Sequence, residues 1–145
     1  MAIGSYDWVI IVDTGPLVAI TDADDGSHRR CLDALGAAEP PLIVPVTVLA
    51  EVCYMLERSL GPTAEAAFLR SFEDGSYVLQ TVTPSDLSRV AELVETYADM
   101  PLGAVDASVI AIAERLGVPT VATLDRRDFS VVRPRHVETL TLVPE

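Results

Sequence analysis

The stretch WVIIVDTGPL, residues 8–17, sets five apolar residues ahead of an aspartate and then turns on Thr-Gly-Pro. A Val/Ile run this short, closed by Gly and Pro, predicts a strand over 8–12 that is buried on both faces, as strands of a parallel sheet are. Asp13 then stands at the strand's carboxyl end. Open α/β sheets bind their ligands along that rim, so a carboxylate there needs an explanation.

Outward from this strand the chain alternates. Pro16 suits the first turn of a short helix ending near Ile20, with Thr14 or Asp13 as its cap. Residues 22–26 are a polar turn, and 27–37 an amphipathic helix with Cys31, Leu32 and Leu35 on one side. A second short strand covers 42–44. Helical spacing of Val48, Leu49, Val52, Met55 and Leu56 predicts a helix over 46–60, stopped by Gly61-Pro62. A helix over 63–72, a strand over 77–82 and a helix from Ser85 follow, the last with Leu87, Val90, Leu93, Val94 and Tyr97 facing inward. The most apolar helix spans 102–116; a fourth strand, 119–124, ends in Asp125, and 139–143 is the candidate edge strand. Strands alternating with helices predict a layered α/β domain with a mostly parallel four- or five-stranded sheet. Without repeats, linkers or low-complexity segments, residues 1–145 read as a single domain.

Composition narrows the function. A chain of 145 residues is long enough to bury a real core, and no apolar run reaches the ~20 residues of a membrane span. The beginning, MAIGSYDWVII, lacks a basic n-region, so no signal peptide is expected and the cytoplasm is the default location. Net charge is -12, and all ten basic residues are arginines. The mean field therefore repels nucleic acid, and any such contact must be local. With no lysine in the chain, neither a P-loop nor a receiver-type phosphorylation site can be built. Cys31 and Cys53 have no metal-ligand spacing and read as buried free thiols. His28 and His136 sit in polar surroundings and read as solvent-exposed, so Ser-His-Asp chemistry has no support.

Most acids need no function. Glu57, Glu65, Asp86, Glu92, Glu95 and Asp99 fall on polar helix faces or near helix starts. Four others differ. Asp106 has Leu102, Gly103, Val109 and Ile110 as its three- and four-residue helical neighbours; Glu51 has Thr47, Val48, Tyr54 and Met55. Asp13 and Asp125 end apolar strands. Each has a structural alternative: Asp13 as a helix cap, Asp125 opening a turn over 125–128, Glu51 and Asp106 as buried partners of single arginines. Four together are harder to dismiss, because an unpaired buried carboxylate costs several kcal/mol. Carboxylates without cysteine or histidine make a hard, oxygen-only set that suits Mg²⁺ or Mn²⁺ and disfavours zinc. The DTG tripeptide does not make an aspartic protease, which pairs two such aspartates across an all-β fold.

With these residues in place, the chain resembles the PIN-domain ribonucleases, and among them the VapC-type toxins of toxin-antitoxin pairs. The motifs are VIIVDTGPLVA, VTVLAEVCYML, LGAVDASVIAIAERLG and VATLDRRDF, in that order along essentially the whole chain. The resemblance implies a three-layer α/β/α fold and places Asp13, Glu51, Asp106 and Asp125 on the family's acidic quartet, with Thr14 and Thr123 as small polar neighbours. Asp128 is an extra acid, so the fourth position stays open between Asp125 and Asp128. The likeness implies a Mg²⁺ or Mn²⁺ ion held by Asp13 and Asp106, with Glu51 and Asp125 as further or water-mediated ligands, activating water against an RNA phosphodiester. Arg126 and Arg127 beside the site, with Arg133 and Arg135 beyond, are the arginines placed to meet RNA. A homodimer and a small antitoxin with a basic C-terminal segment are also implied. That segment is expected to lie over Leu32, Leu35, Val52 and Met55. The alternative is a catalytically silent binding module whose acidic cleft receives a basic peptide.

Overall fold

Ile11 and Val12 are fully buried because β1 (Ile10–Val12) lies in the middle of a five-stranded parallel sheet. The structure, a computed structural model, describes residues 8–145. The expectation of a missing leader rests on residues 1–7 and lies outside those described. The other strands are β2 (Leu42–Pro45), β3 (Tyr77–Gln80), β4 (Thr120–Ala122) and β5 (Thr141–Val143), in the order β3-β2-β1-β4-β5. Register pairs Ile10 with Leu42 and Thr120, and every ladder is parallel. Trp8 lies ahead of the strand at 52% exposure, so the strand begins two residues later than its apolar run.

The helices are α1 (Thr14–Thr21), α2 (His28–Ala37), α3 (Val46–Leu60), α4 (Pro62–Arg70), α5 (Pro84–Thr96), α6 (Ala104–Leu116) and α7 (Arg126–Val131). The chain runs from β1 to one edge through β2 and β3, then returns to β4 on the other side of β1. With the right-handed crossovers that parallel strands follow, this strand order sends α1–α4 to one face and α5–α7 to the other, three layers in all. In keeping with this, α1 packs on α2 and α3, α3 on α4, and α5 on α6. Every residue of α6 from 107 to 113 is buried, which accords with a stretch that is apolar on all sides but for Ser108. Strand order reverses between β1 and β4, and that switch point is where a ligand crevice forms in such sheets.

Several expectations are corrected. Residues 126–131, to which no element is assigned from sequence, are a short helix, so the alternative of Asp125 opening a turn over 125–128 gives way to Asp125 at a helix N-cap. Leu87 is 57% exposed, and Cys53 is half-buried while Cys31 is fully buried; both are free thiols. The histidines are half-buried and bonded: His28 Nδ1 donates to the Ala19 carbonyl at 2.8 Å, and His136 Nε2 to that of Val118 at 2.7 Å. Asp86 is not a solvated helix-start acid. Its amide donates to Thr83 Oγ1, its carboxylate accepts from the Thr83 amide at 2.9 Å, and Arg115 Nε and Nη2 bind it at about 3 Å. Burial raises its pKa, but Arg115 and the Thr83 amide outweigh this and hold the carboxyl below its usual range.

Candidate metal centre at the carboxyl rim

Two strand ends and two helices converge on the switch point. β1 delivers Asp13, β4 delivers Thr123 and Asp125, α3 delivers Glu51 and α6 delivers Asp106. The four carboxylates line one cleft of about 650 Å³, together with Thr14, Gly15, Met55 and Leu124 among others. A Cβ on Gly15 would lie 3.2 Å from Leu124 Cβ, so this glycine lets α1 and the chain after β4 approach. Thr47 on α3 and Ser108 on α6 join hydroxyls at 2.6 Å and hold the two acid-bearing helices together.

Asp13 and Asp125 both occupy helix N-cap positions, and neither side chain makes a capping bond. Instead Thr123 Oγ1 donates to Asp13 Oδ2 at 2.9 Å and accepts from the Asp125 amide at 2.9 Å, which ties the two strand ends to each other. Asp13 is 5% exposed, and its Oδ1 is buried with no hydrogen-bond partner among the described residues; the same holds for Thr14 Oγ1. A buried carboxylate oxygen left without a donor is costly unless a cation completes it.

The charges oppose one another. Burial raises the Asp13 pKa against the Thr14 amide and Thr123 hydroxyl that lower it, with Glu51 and Asp125 adding repulsion. Asp106 is pushed up to about 7, first by burial and then by Asp13, Asp125, Glu51 and Asp128. Its place in the first turn of α6 favours the anion, and the surrounding carboxylates overcome this. Asp128 is raised by burial and by Asp125, and carboxylate oxygens of Asp106, Asp125 and Asp128 lie within 4.8 Å of one another. Asp13 and Glu51 line the same cleft but fall outside that tightest trio. Oxygen donors alone, one of them orphaned, fit a hard divalent ion.

The arginines disperse. Arg126 Nη1 donates to the Leu142 and Pro144 carbonyls at 3.1 and 2.8 Å, which fastens α7 to the chain around β5. Arg133 bonds the Ser130 and Val131 carbonyls, and Arg135 pairs with Glu92. Arg127 is exposed and acts on the Asp128 carboxyl. Sequence reading missed Gly15, the Thr47–Ser108 bond and the Met55 wall. The signal for the first was the DTG tripeptide itself, while the hydroxyl bond joins residues 61 apart and leaves no local trace.

A parallel sheet of this order with an acidic centre at its switch point defines a class. The chain belongs to the PIN-domain family, whose model matches residues 10–133. Within it the likeness is to the VapC type: 32% identity over 135 residues to Ribonuclease VapC26 of Mycobacterium tuberculosis, covering 93% of this chain and 100% of that protein. The crystal structure of Mycobacterium tuberculosis VapC20, described as a Sarcin-Ricin loop cleaving toxin, superposes with TM-score 0.78 at 25% identity, over 89% of this chain and 98% of that one. The fold is also that of VapBC2 from Rickettsia felis, solved with a promoter DNA fragment, at TM-score 0.66 and 18% identity over 92% and 96% of the two chains.

Proposed function

We propose that this chain is a divalent-metal-dependent endoribonuclease of the VapC type, working in the cytoplasm and restrained by a cognate antitoxin. The observation that carries the reading is the buried, unpartnered Oδ1 of Asp13 in a cleft shared with Glu51, Asp106 and Asp125. Relatives described as a ribonuclease and as a loop-cleaving toxin support RNA as the substrate. Asp13, Asp106 and Asp125 would hold the ion, with Glu51 and Asp128 completing its surroundings. Bound there, Mg²⁺ or Mn²⁺ lowers the pKa of water and neutralises charge on a phosphate oxygen. Thr123 fixes the orientation of Asp13, and the Thr47–Ser108 bond sets Glu51 against Asp106. Thr14 lines the cleft, and its buried, unpartnered hydroxyl would have to turn outward to meet the phosphate. Arg127 is the exposed cation at the rim, and Arg126, through donors not given to the carbonyls, is its neighbour there. Pairing of two copies is part of the same proposal.

The test is cleavage of RNA by purified chain with EDTA and with Mg²⁺ or Mn²⁺ restored, alongside calorimetry of Mn²⁺ binding. Cleavage should vanish with EDTA and return with either ion. Undiminished cleavage in EDTA, or no cleavage with any divalent ion, overturns the reading.

A further inference from the structure

Helix α3 carries more than the cleft's glutamate. Glu51, Tyr54, Met55 and Arg58 are spaced as one stripe of a helix. Glu51 and Met55 line the acidic cleft, and the stripe leaves it through Met55 at 39% exposure and Tyr54 at 60%. Arg58 closes it. Its Nη1 donates to the Tyr54 hydroxyl at 2.7 Å, with the guanidinium carbon 5.5 Å from the ring centroid. Among the described residues Arg58 has no carboxylate partner, whereas Arg29, Arg89, Arg115 and Arg135 each have one. As a solvated helix pair, Tyr54 and Arg58 would contribute only about 0.2–0.5 kcal/mol. Their position is what matters: an exposed ring and a cation with no carboxylate partner among the described residues continue from the cleft through Met55, in a chain whose net charge is -12.

We infer that Tyr54 and Arg58 form a landing for the single-stranded part of the RNA substrate, the ring stacking on a base and the guanidinium meeting a neighbouring phosphate. Seven helical residues separate Glu51 from Arg58, about 10 Å along the axis. At about 3.4 Å per stacked nucleotide this places the landing about three nucleotides from the bond held in the cleft. Beyond Met55 charge decides the occupant: at the Tyr54–Arg58 end Arg58 attracts a phosphate and repels a basic side chain. Stacking with local cations is also how an acidic protein can hold a single strand against its own mean field. The inference rests on the ribonuclease reading and specifies where that site takes hold of its substrate.

The experiment measures fluorescence anisotropy of a labelled short oligouridylate on the full chain carrying Asp106→Asn to suppress turnover, with cleavage followed in the otherwise native chain. Tyr54→Ala should weaken binding about tenfold or more, and Tyr54→Phe far less, because the ring remains. Arg58→Ala should lower the slope of log Kd against log salt by about 0.7. Both side chains lie outside the core, so the thermal midpoint should hold. Unchanged affinity and salt slope with cleavage intact overturns the landing and leaves the ribonuclease reading standing. Loss confined to binding of an arginine-rich peptide assigns Tyr54 and Arg58 to a protein partner and overturns it too. A native chain that neither binds nor cleaves RNA removes both readings.

Discussion

Asp106→Asn removes a charge that burial and four neighbouring carboxylates oppose, while leaving the side chain's shape. Cleavage should fall on the order of a hundredfold or more, since each 1.36 kcal/mol is tenfold and a lost metal contact is worth several. The metal-free thermal midpoint should rise, and a variant with full activity would remove Asp106 from the site. Its pKa of about 7 against 3.8 also fixes a pH dependence. Between about pH 4 and about pH 7 the folded chain keeps a proton that the unfolded chain has released, so stability falls as pH rises through that window. Asp13 is raised too and acts in the same direction. Thermal melts in EDTA should therefore show a declining midpoint from acid to neutral pH, flattened by Asp106→Asn; a flat wild-type profile contradicts the geometry. Asp125→Asn should cost more activity than Asp128→Asn, because Asp125 lines the cleft, whereas Asp128, in the first turn of α7, is outside its lining. A variant silenced only by Asp128→Asn would reverse that order. These acids were legible because their helical or strand neighbours are apolar. Asp86 was not, since its partner Arg115 is 29 residues away and its three- and four-residue neighbours are mixed, Val82 and Val90 beside Thr83 and Arg89.

At the scale of elements, the helices were legible to within a turn because α2, α3 and α5 each bury one stripe. The strands expected over 77–82 and 119–124 shorten to β3 and β4, whose ladders end at Gln80 and Ala122. The six residues of α7 begin with three charged ones and bury only Phe129, too little for a helical period to show. At α5 the sequence did hold a usable sign, Thr83-Pro-Ser-Asp86, a threonine followed three residues on by an acid. Asp86 caps α5 and anchors Arg115 of α6, so Asp86→Ala loses a cap worth about 1 kcal/mol and strands a cation. The expected cost is about 2–4 kcal/mol, read as a lowered midpoint in denaturant, with metal-dependent cleavage kept at permissive temperature. The lowered pKa of Asp86 means its contribution is present above its ordinary pKa near 3.8 and is lost as pH falls through the lowered value. Asp86→Asn should accordingly blunt the acid limb of the stability profile. A midpoint unmoved by Asp86→Ala would mean the α5–α6 junction is held by Arg89 and Glu114 instead, whose guanidinium and carboxylate meet through two bonds of 2.8 Å.

Over the whole molecule, charge and exposed apolar surface point to how the cleft is silenced. Net charge is -12, and four carboxylates share an opening that attracts cations of any kind. A basic side chain delivered by a peptide can occupy it when no metal does, with steering as well as affinity from complementarity. The expected apolar footing changes with the structure: Leu35 and Val52 belong to the core, whereas Leu32 on α2 and Met55 on α3 are 38% and 39% exposed. The sequence could not separate these pairs, because burial by α1 and α3 is set by packing across the layer. An antitoxin with a basic, amphipathic C-terminal segment should therefore cover Leu32 and Met55 and direct an arginine or lysine toward Asp13 and Asp106. Leu32→Glu and Met55→Glu should each weaken the complex, read by calorimetry, while Leu35 variants should act only through stability. Replacing the peptide's basic residue by alanine should weaken inhibition about tenfold or more without unfolding either partner. Metal and antitoxin should also compete, so excess Mn²⁺ should raise the antitoxin concentration needed for half-inhibition. If the segment can be deleted with inhibition and its metal dependence unchanged, the acidic cleft is not where the antitoxin acts.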